Sequence, residues 1–183
     1  MSIATKKGDD GTTGMLYGQR VTKTSPPIEA VGSIDELNAS IGLVRPLCWE
    51  HPAGKAAYAT LKKIQRTLTH LMGEIVCDPG KRKDGHERFP NTTPEDLEIL
   101  DQLILDLEKK PELKQNDWVL YGGSHIGSRF DFASKMCRKA ERAVLYAHES
   151  GGAYRSIVLQ YLNRLSDYLH LEARLFDFLD NLA

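Results

Sequence analysis

Cysteine is scarce: Cys48, Cys77 and Cys137 are far apart in a chain of 183 residues and form no C-x-x-C pair. That spacing excludes a disulfide framework and a thiolate zinc site and predicts core or partly buried thiols. An excess of either charge is also missing. Lys and Arg total 24 against 25 Asp and Glu, a net charge of −1, so no global positive field is available to hold nucleic acid or an acidic membrane. Any basic site must be local. No stretch approaches the roughly 20 apolar residues of a membrane span, and the opening MSIATKKGDDG lacks the apolar core of a signal peptide. These absences predict a cytoplasmic protein with neither a membrane nor a nucleic-acid partner. What remains is ordinary for a packed single domain, with 41% hydrophobic and 27% charged residues and a mean hydropathy of −0.39.

The hydrophobic pattern has helical period from Glu29 onward. Ile34, Leu37, Ile41 and Val44 fall at i, i+3, i+7 and i+10, and Pro46 is expected to close this first helix. A second helix carries Leu61, Ile64, Leu68, Leu71 and Ile75, with Pro79 and Gly80 beyond it. Thr93 before Pro94 reads as an N-cap with proline at the first helical position, opening a third helix through Leu97, Leu100, Ile104 and Leu107 before Pro111. A fourth spans about Ser124 to Glu149 on Ile126, Phe130, Ala133, Cys137, Ala140 and Val144, ended by Gly151-Gly152. The fifth, from about Tyr154, uses Val158, Leu162, Leu165, Leu169, Ala173 and Phe176. Leu171, Leu175 and Phe178 form a second apolar set on it, which calls for cover at the bundle centre or at a subunit contact. Residues 1–27 lack helical period and read as a flexible segment before a helical region 28–183, and 78–93 read as a polar surface loop.

Three polar constellations stand out. The opening Thr5-Lys6-Lys7-Gly8-Asp9-Asp10-Gly11-Thr12-Thr13-Gly14, followed by Arg20 and Lys23, supplies what a polyphosphate requires: glycines that admit an anion to backbone N–H groups, hydroxyl donors and cations. It is not a Walker A loop, and on turn chemistry alone a flexible tail with Asp-Gly turns is the simpler reading. On the fourth helix, Ser134, Arg138 and Glu141 flank one side of the apolar stripe with Arg142 further round; phosphate binding by arginine and a solvated basic face both fit. On the last helix Asn163, Asp167, His170 and Arg174 make one polar stripe, either exposed or part of a polar site within an interface. A di-iron site is excluded, because Asp167-x-x-His170 has no second copy.

In order along the chain, TKKGDDGTT, RVTK, EAVGSIDELNASIG, CRKAER and YLNRLSDYLHLEAR resemble the motifs of the PduO-type corrinoid adenosyltransferases. The likeness runs from about Thr5 to Arg174. It implies an all-α five-helix bundle over a single domain 1–183, with a glycine-rich N-terminal nucleotide-binding segment, assembled as a homotrimer with ATP between neighbouring subunits. Thr5, Lys6, Lys7, Gly8, Thr13, Gly14 and Lys23 would hold the triphosphate, with Arg138, Lys139, Glu141, Arg142 and Asn163 completing the ATP site and Arg138 and Glu141 taking catalytic roles. Asp35, Trp118 and His170 would face the corrinoid. The implied reaction transfers the 5′-deoxyadenosyl group of ATP to the reduced cobalt of a corrinoid such as cobalamin, with Mg²⁺ and cations meeting the charge on the departing triphosphate. A corrinoid reductase or acceptor enzyme is an implied partner.

Three positions depart from the family pattern. Ser134 stands where the family has an arginine, which leaves Asp35 without its usual partner across the subunit contact unless Lys135 or Arg129 substitutes. Trp118 and His170 stand where the family has aromatics against the corrin, and a neutral histidine there could ligate cobalt. The alternative to an active transferase is a non-catalytic ATP- or corrinoid-binding regulatory or delivery protein of the same fold.

Overall fold

A computed structural model describes residues 4–77, 91–114, 118–152 and 155–181. Five helices follow the five apolar stripes: α1 (Pro26–Glu50), α2 (Lys55–Ile75), α3 (Pro94–Glu108), α4 (His125–Glu149) and α5 (Ser156–Asn181). The stripes bury against one another in a common core. Helix α1 packs on α2 and α4, α4 on α5, and α5 on α3, so α1, α4 and α5 enclose a core that includes Ile34, Leu37, Ile41, Phe130, Leu162, Leu165 and Leu169, all fully buried. Phe130 stacks on Phe176 with ring centroids 5.4 Å apart. The three cysteines are free and buried.

Local chemistry explains most boundaries. Thr93 accepts from the Asp96 backbone N–H while the Asp96 carboxylate accepts from the Thr93 backbone N–H, a reciprocal cap behind Pro94. At the start of α4, Ser124 Oγ accepts from Gly127 N at 2.9 Å. The C-terminal end of α4 closes with Gly151 at φ 101 and a bond from Gly152 N to Ala147 O at 3.0 Å. The expected start of α5 near Tyr154 and most of the expected loop 78–93 lie outside the described residues.

One expectation is corrected. Helix α1 runs through Pro46 to Glu50 and is closed by His51 N donating to Leu47 O at 3.0 Å. An interior proline costs about 3 kcal/mol, but Val44 and Cys48 are fully buried on the same stripe and Leu47 packs against the core, so burial on both sides of Pro46 carries the helix past it. The N-terminal segment contains an antiparallel hairpin: β1 (Thr12–Gly14) pairs with β2 (Arg20–Thr22) in the register Thr12 to Thr22, Thr13 to Val21 and Gly14 to Arg20. The β-branched residues on both strands suit this pleat. Leu16 N donates to Val76 O at 3.3 Å, docking the hairpin on the end of α2. At the same end of the bundle Arg155 grips the buried Glu74 through Nε and Nη2 at 2.8 and 2.7 Å, and reaches Thr92 O at 2.9 Å, so the ends of α2 and α5 and the lead into α3 are tied together.

The second apolar set of α5 does not stand free. Leu171 and Leu175 pack against the core, and Phe178 is 37% exposed. The larger exposed apolar side chains among the described residues are instead Leu43 and Trp49 on α1, Ile99 and Leu105 on α3, Phe132, Leu145 and Tyr146 on α4, and Trp118, Leu120 and Tyr121 just before α4.

Candidate functional site

The hairpin gathers its cations around a glycine turn. Arg20, at the start of β2, donates from Nη2 to Lys7 O at 2.6 Å and also bonds the Thr12 hydroxyl, and it lies 3.4 Å from Asp10 Oδ1. Asp10 accepts from the backbone N–H and hydroxyl of Thr12 at 2.9 and 2.7 Å, and these bonds hold its carboxyl below the ordinary range. Lys6 takes a left-handed backbone at φ 57, which reverses the chain before Gly8. A Cβ at Gly8 would lie 3.2 Å from Lys23 Nζ, so the ammonium of Lys23 rests against that turn. Thr5, Lys6, Lys7, Gly8 and Lys23 therefore share one turn region, and Thr13 and Gly14 follow on β1. Lys6, Lys7 and Lys23 are exposed, which leaves their charges available to an anion.

A second polar group lies across α4 and α5. Asn163 Nδ2 donates to Glu141 Oε1 at 3.1 Å, and Arg164 Nη1 donates to Asn163 Oδ1 at 2.8 Å. Arg138 and Arg142 are exposed on either side of Glu141 along the helix. Lys139 turns the other way and pairs with Glu36 of α1 at 2.6 Å, which sets it apart from Glu141 and Asn163. The fold joins Glu141 and Asn163, with Arg138 and Arg142 exposed nearby on α4.

The stripe of α5 divides. Asp167 is exposed and His170 half-buried, but Arg174 is only 4% exposed and meets Asp131 of α4, itself 2% exposed. Arg174 also pairs with Asp177 at 3.2 Å. Burial, followed by the Arg174 and Lys135 charges, lowers the pKa of His170 and favours its neutral form. Its Nδ1 is buried without a hydrogen-bond partner, whereas a metal-ligating imidazole almost always donates its second nitrogen to an acceptor. No acceptor therefore steadies this ring for ligation.

Of the other corrinoid-facing candidates, Trp118 is 94% exposed and Asp35 is exposed on α1. Among the described residues Asp35 makes no ion pair; Lys135 lies over the Tyr121 ring at 4.7 Å, and Arg129 donates to His125 O at 2.8 Å. Ser134, placed by its spacing at the side of the apolar stripe, is buried and donates to Ser166 O at 3.0 Å. Sequence reasoning missed Asp131 and Asp177 altogether. The available signal was small: Gly127, Asp131 and Ser134 follow helical spacing and line a narrow seam in which a large polar side chain from α5 can lie.

The family model for cobalamin adenosyltransferases matches residues 3–176. The chain belongs to the cobalamin adenosyltransferase family. The family's corrinoid adenosyltransferase from Bacillus subtilis is 37% identical over 175 residues, covering 95% of this chain and 86% of that protein. Corrinoid adenosyltransferase PduO of Salmonella typhimurium is 33% identical over 177 residues, and the match covers 97% of this chain but 50% of the relative, so the chain spans half of that protein's length. Among solved structures, a variant PduO-type ATP:corrinoid adenosyltransferase from Lactobacillus reuteri, complexed with cobalamin and ATP, superposes with a TM-score of 0.87 at 26% identity, covering 98% of this chain and 96% of that one.

Proposed function

We infer that this chain transfers the 5′-deoxyadenosyl group of ATP to the cobalt of a reduced corrinoid and releases triphosphate. The observation that carries the reading is the hairpin turn, where Lys23 lies against Gly8 and Arg20 ties down Lys7, at the end of a bundle whose α4 and α5 carry Arg138, Arg142 and the Glu141–Asn163 pair. In the reaction, cobalt(I) supplies the electron pair that forms the cobalt–carbon bond to C5′. The C5′–oxygen bond breaks, and the triphosphate leaves with its electron pair.

The protein's own tasks follow. Lys6, Lys7 and Lys23 meet the charge accumulating on the triphosphate, and Arg138 and Arg142 meet it from the helices. Glu141 and Asn163 fix each other and orient the nucleoside portion. Mg²⁺ is proposed to arrive with the nucleotide, since among the described residues no cluster of three His, Cys, Asp or Glu side chains is placed to hold a metal, and phosphates commonly supply its ligands. Trp118 and the half-buried His170 line the corrinoid side, with His170 as a neutral wall of the pocket.

A homotrimer is proposed with ATP between copies. The exposed Leu43, Phe132, Leu145 and Tyr146 of α1 and α4 support burial against another copy, so the contact surface is proposed on these two helices. A separate reductase would supply cobalt(I). Incubating the chain anaerobically with reduced cobalamin and MgATP tests the reading: growth of the absorbance of the cobalt–carbon product supports it. Nucleotide or corrinoid binding without that product would leave the non-catalytic delivery role.

A further inference from the structure

Buried charge away from the proposed ATP site is concentrated where α5 crosses the beginning of α4. Asp131 and Arg174 are 2% and 4% exposed, they pair with each other, and Arg174 also holds Asp177 at 3.2 Å. Within this triad Asp131 Oδ1, Arg174 Nε and Asp177 Oδ1 are buried without hydrogen-bond partners. Buried polar groups left unsatisfied cost free energy, and well-packed apolar side chains in place of the whole triad would avoid that cost. The triad therefore calls for a role beyond stability.

Its outer member points to one. The Asp177 carboxylate sits against the turn that leads into α4: a Cβ at Gly123 would lie 2.7 Å from Asp177 Cγ, and one at Gly127 would overlap the same carboxylate. The positive N-terminal end of α4 favours a negative charge at that place. Immediately before this turn come Trp118, Leu120 and Tyr121, which are 94%, 85% and 57% exposed. Lys135, one turn beyond Asp131, lies over the Tyr121 ring. The aromatic loop thus lies against the Asp177 carboxylate at Gly123 and under Lys135 at Tyr121.

We propose that Asp177, fixed by the buried Arg174–Asp131 pair, is a positioning residue that sets the aromatic loop 118–123 for the corrinoid. This rests on the adenosyltransferase reading. The test replaces Asp177 by Ala, which leaves Arg174 paired with Asp131, and separately makes Gly123→Ala, which attacks the same contact from the loop. Both are measured for hydrogen exchange across 118–124 and for KM toward cobalamin and ATP. The expected result is faster exchange confined to 118–124, with the cobalamin KM raised about threefold to tenfold and the ATP KM changed less than about twofold. Because the two residues touch, the double variant should resemble either single one. Unchanged exchange at 118–124 would overturn the proposal, as would a joint rise of both KM values with faster exchange throughout α4 and α5. If the parent protein forms no cobalt–carbon product, the functional reading fails, while the exchange data still decide whether Asp177 holds the loop.

Discussion

At the end of the bundle where α1 begins, the cations lie in solvent and are organised by a short hairpin, whereas at the opposite end Arg174, Asp131 and Asp177 are sealed between α4 and α5. The first arrangement keeps charge available to a ligand and contributes little to the fold, because exposed ion pairs are screened and entropically costly. The second binds charge to charge inside the protein, where loss of one partner strands the other. Function and stability should consequently respond to mutation in opposite proportion at the two ends.

The sharpest way to break this contrast is Arg174→Ala. Removing the guanidinium leaves Asp131 buried and unpaired, so denaturant unfolding should show a loss of about 3–5 kcal/mol. A loss under about 1 kcal/mol would place the triad with the exposed pairs. Next comes Glu172, buried in α5, where it accepts from the Tyr168 hydroxyl at 2.8 Å. Burial, opposed by the Tyr168 bond and the Lys110 charge, raises its pKa from 4.5 to about 7. The folded state therefore binds this proton more tightly than the unfolded chain. Its contribution to stability is fully present below about pH 4.5 and is lost as pH rises through about 7, a change on the order of 3 kcal/mol at most. Glu172→Gln should flatten that part of the stability profile; an unchanged profile would show that Glu172 is ionised at neutral pH.

At the exposed end the proportion reverses. Arg138→Ala should weaken ATP binding by about 1.5–3 kcal/mol, or about 10- to 150-fold, if its guanidinium meets phosphate. Its melting temperature should stay close to the parent's, and unchanged ATP affinity in a folded variant would return Arg138 to a solvated face. The smallest effect on the fold is expected for Arg20→Ala. Global stability should change by less than about 1 kcal/mol, while the turn at Lys7 loosens and protection of residues 5–9 from protease by MgATP diminishes. Equal protection in parent and variant would show that Arg20 does not shape the turn.

The same contrast explains what the amino-acid sequence disclosed. The helices were legible because each needs one continuous apolar stripe, and Thr93-Pro94 and Ser124 mark their starts through local bonds. Pro46 misled, because a proline's local cost is visible in sequence and the burial of Cys48 beyond it is not. The hairpin escaped notice since strands of three residues give too short an alternation to read. Lys6, Lys7 and Lys23 were legible as candidate phosphate ligands through their chemistry, but their convergence on Gly8 depends on the pairing of β1 with β2. The buried triad was least legible of all. Asp131 resembles any helical carboxylate until α5 lays Arg174 against it, and a contact across 43 residues leaves no local pattern.

Adenosyl transfer is tested most directly by identifying both products of one anaerobic turnover with cobalt(I) cobalamin and MgATP. Attack at C5′ predicts one cobalt–carbon adduct for each intact triphosphate released, separable by phosphorus-31 NMR from pyrophosphate and orthophosphate. ADP with orthophosphate, or AMP with pyrophosphate, without a cobalt–carbon adduct would contradict it.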